Sequence, residues 1–266
     1  MKFKRLLAVA LSVFSLTAGG AQPSFKLSVG GYASEGDYGL RSNTYIVAVP
    51  VSIRYRAWPW QVKLSSILVH LNGPGTLTDG DVAGNRRELI RDETGFGDTS
   101  LLLEREGMLG STVKTYWNLG LRVKVPTGDE AKGLGTGAFD YEPRVTLMYL
   151  NSLVKPYLLA RYTIKGDAAG KKSNDSTGGS ASRKFEKTLG ATLGIDYPAT
   201  ESFSMGGQLT ARQASVTGGN KRLEALLVGR YRTDNSWSYS AYVIRGLAEG
   251  SPDWAAGFSV DYKWYP

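Results

Sequence analysis

From Trp117 to Val125 every second residue is apolar, with Trp117, Leu119, Leu121, Val123 and Val125 separated by Asn118, Gly120, Arg122 and Lys124. Beyond Pro126-Thr127-Gly128-Asp129 and a glycine-rich loop the pattern returns, with Tyr141, Val145, Leu147 and Tyr149 on one parity and Asp140, Glu142 and Arg144 on the other. A repeat of two puts these sets on opposite faces of an extended strand. Soluble sandwiches also alternate, but their strands are usually about half as long, and aromatic residues do not ordinarily bracket their apolar face at both ends. An apolar face ending in Trp or Tyr, backed by a charged one, is what a barrel strand crossing a membrane requires.

The chain opens with Lys2, Lys4 and Arg5, an apolar run from Leu6 to Leu16 and small residues ending at Ala21, the order of a secretory signal peptide. Residues 1–21 are expected to be removed, leaving 22–266 as a single domain. The apolar run falls short of the roughly 20 residues of a spanning helix, and no other segment reaches that length. The absence of Cys excludes disulfide stapling and a lipid-anchored N-terminus. Of the net charge of +8, the leader carries three units. The remaining basic residues are dispersed along strands, so nucleic acid is not an expected partner of this exported chain. With 33 Gly, 15 Tyr, 6 Trp and only 42% hydrophobic residues, the composition fits a barrel whose inner face is wet.

The alternation predicts an all-β, antiparallel up-and-down barrel of about twelve strands, near 24–32, 44–56, 60–70, 97–106, 113–125, 138–149, 153–165, 184–197, 201–213, 221–233, 236–247 and 253–264. Short links at 57–59, 106–112, 150–152, 198–200 and 234–235 alternate with longer ones at 33–43, 71–96, 126–137, 166–183, 214–220 and 248–252. Short periplasmic turns and long outer loops are the rule for bacterial outer-membrane barrels, which puts both termini on the periplasmic side. Pro50, Pro143 and Pro156 fall inside predicted strands and are expected to mark bulges. The last segment, from Trp254 to Trp264, resembles the aromatic C-terminal signal of outer-membrane barrels but ends on Pro266.

Three short pieces carry a family resemblance. Gly95-Phe96-Gly97-Asp98, Pro126-Thr127-Gly128-Asp129 and Gly133-Leu134-Gly135-Thr136-Gly137 occur in that order. Across 95–149 the chain resembles the bacterial outer-membrane barrel family labelled as transporters of the meta pathway of phenol degradation. The resemblance implies an outer-membrane barrel that passes small, often aromatic, compounds, and it supplies no catalytic residue. The physical reading of Gly95, Gly97, Asp98, Pro126, Thr127, Gly128, Asp129, Gly135 and Gly137 is structural. Glycines turn the chain where strand meets loop, and the aspartates accept hydrogen bonds from turn amides. A cation held by Asp98, Asp129 and Glu130 is the competing reading.

By parity the inner face carries Lys63, Lys114, Arg122, Lys124, Arg144, Lys155, Arg161, Lys165, Arg212, Arg230 and Arg232 against Glu104, Asp140, Glu142, Glu186, Asp196, Glu224 and Asp261, a net basic lumen. Arg122, Arg144 and Arg161 fall on three consecutive strands, where guanidinium groups would favour anionic or carboxylated solutes. If the 126–137 loop is centred near residue 131, Arg122 lies opposite Asp140, and a tight turn at Asn151 brings Glu142 to Arg161. Arg144 is then left without a carboxylate.

His70, the only histidine, falls on the lipid-side parity with Ser66 as a same-face neighbour. No acidic orienter is evident near it, so an enzyme is not expected. No nucleotide-binding glycine loop and no metal-spaced His and Cys set is present, so no cofactor or metal is expected either. The segment 71–96 could fold over the mouth, and 166–183 is small and polar. The expected function is a channel for passive passage of small organic compounds. An anion-preferring pore for acidic sugars or small carboxylates, and an adhesive or structural barrel, are the alternatives. Expected partners are outer-membrane lipid, the solute, and periplasmic chaperones and barrel-assembly machinery during biogenesis.

Overall fold

The computed structural model describes residues 22–77, 82–84, 90–112, 114–150, 153–166, 186–216 and 218–266. The leader 1–21 and nearly all of the 166–183 loop lie outside these residues. Among the described residues there are fifteen strands: β1 (Ser24–Gly36), β2 (Thr44–Ala57), β3 (Trp60–Gly73), β4 (Gly75–Leu77), β5 (Val82–Gly84), β6 (Arg91–Phe96), β7 (Thr99–Leu109) and β8 (Thr115–Val125). They continue with β9 (Asp140–Tyr149), β10 (Lys155–Lys165), β11 (Thr188–Pro198), β12 (Phe203–Arg212), β13 (Arg222–Arg232), β14 (Trp237–Gly246) and β15 (Trp254–Trp264). β6 and β7 lie end to end along β3, so the thirteen strands of the main sheet make twelve staves. β1 pairs with both β2 and β15, and the sheet closes on itself with all pairings antiparallel.

Alternation works as the sequence predicts. Leu193, Leu227 and Phe258 are 62%, 66% and 58% exposed on the outer face, where lipid replaces a core. Phe25, Tyr55, Tyr262, Trp264 and Trp237 stack in a continuous aromatic patch at the periplasmic end, the interfacial girdle of a membrane barrel. His70 keeps the predicted outer parity and sits by Thr94 on β6, Nδ1 to Oγ1 at 2.9 Å.

Two local expectations are corrected. The prolines do not produce bulges: pairing keeps one register through Pro50 on both sides of β2, through Pro143 and through Pro156, and only local rungs are missing. Losing a ladder donor costs a hydrogen bond without requiring an extra residue. The bulge sits instead at Gly97-Asp98. β3 advances three residues from Leu68 to Ser65 while its partner advances four, from Phe96 to Ser100, so one extra residue flips parity between β6 and β7. The 71–96 segment is also less of a loop than its sequence implies, because Arg91–Phe96 is strand paired to β3.

Candidate functional site: the barrel lumen

The first motif piece, some 30 residues before the other two in sequence, meets them at the outer end of β7 and β8. The bulge aims Asp98 inward, where its Oδ1 accepts a hydrogen bond from Gly128 N at 3.0 Å and its Oδ2 accepts one from Thr136 N at 3.3 Å. Thr127 Oγ1 accepts from Thr99 N at 2.8 Å. Lys124, 1% exposed at its side chain, reaches Asp98 at 2.9 Å and Asp140 at 3.0 Å, and its ammonium also donates to the Thr136 hydroxyl. A Cβ on Gly135 would lie 2.5 Å from Asp98 Oδ1, so only glycine lets the loop approach this carboxylate. These contacts pack the motif residues into one folded loop, with Gly97 in a bulge rather than at a strand end. The cation reading fails because the carboxylates do not converge: Asp98 faces Lys124, and Asp129 caps its own turn through Ala131 N at 2.9 Å.

This knot drives the 126–139 loop into the mouth. Leu134, 1% exposed, packs on inward-facing Ile46 and Ala48 of β2 and Val69 and Leu71 of β3. Gly95 makes room, since a Cβ there would come within 2.8 Å of Leu134 Cδ1. Leu77 of the β4–β5 hairpin joins the cluster, and its N–H donates to Gly133 O at 2.9 Å. From another side Tyr38, in the left-handed region at φ 52°, is buried with its hydroxyl 3.1 Å from Ser34 Oγ. Burial pushes that hydroxyl above its ordinary pKa.

Below the mouth lie the predicted arginines. Strand pairing sets Arg144 beside Arg161, Arg161 beside Gly190, Gly190 beside Arg212 and Arg212 beside Arg222. Four arginines on five neighbouring strands thus share one line of register on the inner face. Gly190 is part of the design, because a Cβ there would lie 2.8 Å from Arg161 Nε; Gly120 likewise leaves space for the Arg144 stem at 2.9 Å. Sequence reasoning placed three members inward and missed Arg222, whose position on the even parity of β13 was the available signal.

The pairing expectations are corrected by a register shift of two. Arg122 lies opposite Glu142, not Asp140, and Lys124 lies opposite Asp140. Arg144 is not left without a carboxylate: its Nη2 donates to Glu142 Oε1 at 2.6 Å, while Arg122 Nη2 donates to Oε2 at 2.8 Å. Glu142 meets Thr163 at 2.9 Å rather than Arg161. A slip of two keeps every side chain on its face and changes every partner. Arg212 is buried beside Thr163 at 3.4 Å. Arg230 faces inward and pairs with Asp196 at 2.7 Å. Lys63 is inward on β3, where it faces Arg54. Lys114 is an exposed residue just before β8, outside the strand.

On the outer face the structure corrects the reading of His70 in one respect. A carboxylate is nearby, Asp92 Oδ1 at 3.6 Å from Nε2. That is longer than a hydrogen bond.

No family model matches the chain, and no curated protein matches it in sequence. Solved structures do match in fold. An outer membrane channel from Pseudomonas putida F1 superposes with a TM-score of 0.68 at 14% identity, over 94% of this chain and 98% of that one. The KdgM porin superposes at 0.52 with 12% identity over 90% and 99%, and it is also solved in complex with disordered oligogalacturonate. A closed barrel with a lipid-facing apolar belt, an aromatic girdle and a charged lumen belongs in the outer membrane of a Gram-negative cell. The chain is a twelve-stave barrel with the fold of outer-membrane channels and porins.

Proposed function

We propose that this barrel is a channel for passive passage of small organic solutes and that it favours those carrying an acid group. The observation that carries the reading is the register line of Arg144, Arg161, Arg212 and Arg222 on the inner face, in which Arg144 meets Glu142 and Arg222 meets Glu224. Guanidinium groups aligned along a pore raise the local concentration of anions and bind carboxylates through paired hydrogen bonds. The resemblance across 95–149 extends the reading to small aromatic compounds, and the fold shared with a porin solved with an oligogalacturonate extends it to acidic sugars.

Liposome swelling with phenols, benzoates and acidic sugars tests it. Acid-bearing solutes should enter faster than neutral ones of equal size, and uniform impermeability would turn the reading to a structural or adhesive barrel. In planar bilayers Arg144→Ala should weaken anion preference, because it also frees Glu142 from one of its two arginines. An unchanged reversal potential and conductance would remove Arg144 from the pore's selectivity.

A further inference from the structure

A second line of cations crosses the barrel nearer the periplasmic end. Strand pairing sets Lys263 beside Lys26, Lys26 beside Arg54 and Arg54 beside Lys63, on β15, β1, β2 and β3 in turn. Lys26 is satisfied by Asp261 at 2.9 Å, and Lys263 lies over the Tyr265 ring at 4.6 Å. Arg54 and Lys63 are not. Neither has an ion pair among the described residues, and Arg54 Nε is buried with no hydrogen-bond partner. The charges acting on Lys63 are Arg54, Lys26 and Arg144, with Glu104 the weakest and the only one of opposite sign. Glu104 is already taken by the Gln61 amide. Like charges directly opposite on paired strands repel, and leaving a buried guanidinium nitrogen unsatisfied is costly. An anion between the two side chains relieves both.

We infer that Arg54 and Lys63 form a carboxylate-binding station inside the lumen, for the acid group of a permeating small organic acid. Arg54 offers a planar fork matched to a carboxylate and Lys63 a mobile point charge. They stand three residues in from the β2–β3 turn at Ala57–Trp60, so the station lies on the periplasmic side of the arginine line. A solute leaving that line meets it before release. The inference rests on the proposed channel reading and goes further by naming where the acid group stops.

Benzoate binding to the intact barrel in detergent, followed by titration calorimetry, tests the station. Arg54→Gln with Lys63→Gln should weaken benzoate by about tenfold or more, the size expected for charge-assisted hydrogen bonds. The exchange Arg54→Lys with Lys63→Arg should retain most of the binding, which separates loss of the station from loss of the fold. Equal benzoate affinity in the Gln double variant and wild type would overturn the station while leaving the channel reading intact. Binding that needs Arg54 and Lys63 but comes with no benzoate flux in liposomes would support the station and defeat the channel reading. Binding of inorganic phosphate but not benzoate would overturn the assignment to carboxylates.

Discussion

Replacing Lys124 by Met should unlock the loop that fills the mouth. Lys124 is fully buried between Asp98 and Asp140, whose side chains are 6% and 2% exposed. Lys165 stands 3.8 Å from Asp140 and keeps a share of its charge balanced, but Asp98 has no other cation among the described residues. Asp98 is also the acceptor for Gly128 N and Thr136 N, so its unpaired charge falls on the two amides that fold the loop inward. Removing one partner of a buried ion pair costs about 3–5 kcal/mol, and at about 1.4 kcal/mol per tenfold this raises the open population of the loop by roughly two to three and a half orders of magnitude. Trypsin reads the change directly, because Lys132 lies in that loop with its side chain 47% exposed and 3.3 Å from Glu93. Cleavage after Lys132 should accelerate strongly in Lys124→Met, and single-channel conductance should rise as Leu134 leaves the mouth. Neutralising the carboxylates as well, with Asp98→Asn and Asp140→Asn, should return much of the protection. Wild-type cleavage and conductance in Lys124→Met would refute the reasoning, since the loop would then be held by something other than this ion pair.

Leu134→Ala should act on the same mouth without touching charge. Truncating a buried leucine costs about 2–5 kcal/mol, read here as larger conductance and faster loop proteolysis with the barrel's overall unfolding little changed. Gly120→Val should displace Arg144, because its Cβ would come within 2.9 Å of Arg144 Cγ and Glu104 Cγ; overpacking of this kind costs about 1–3 kcal/mol, and anion preference in bilayers should fall as it does in Arg144→Ala. At the periplasmic β13–β14 turn, hydrogen bonds from Trp237 N and Ser236 N at 2.7 and 2.6 Å hold the Asp234 carboxyl below its ordinary 3.8. A depressed folded pKa gives stability that is present above the unfolded value and lost as pH falls through the folded one. Urea unfolding should therefore separate wild type from Asp234→Ala at pH 7 and progressively less below 3.8; a pH-independent gap would show that the carboxylate charge is not what the turn uses.

Much of this protein was legible in its sequence because a strand's side chains repeat every two residues. That period alone gave the twelve staves, the lipid face, the aromatic ends, and the inward aim of Arg122, Arg144, Arg161 and Arg212. It could not give partners. Parity is blind to a slip of two, so Glu142 was matched to the wrong arginine, and Arg54 and Arg222 went unnoticed although they share the inner parity of their strands. Nor could it foresee that one extra residue at Gly97-Asp98 would reverse the parity and turn a carboxylate inward to meet a lysine 26 positions along the chain. Local alternation decided which side chains are wet. The cations that line up, the loop that folds inward and the two residues that face each other without an ion pair among the described residues were decided by register, bulge and closure, which arise only from pairing strands distant in sequence.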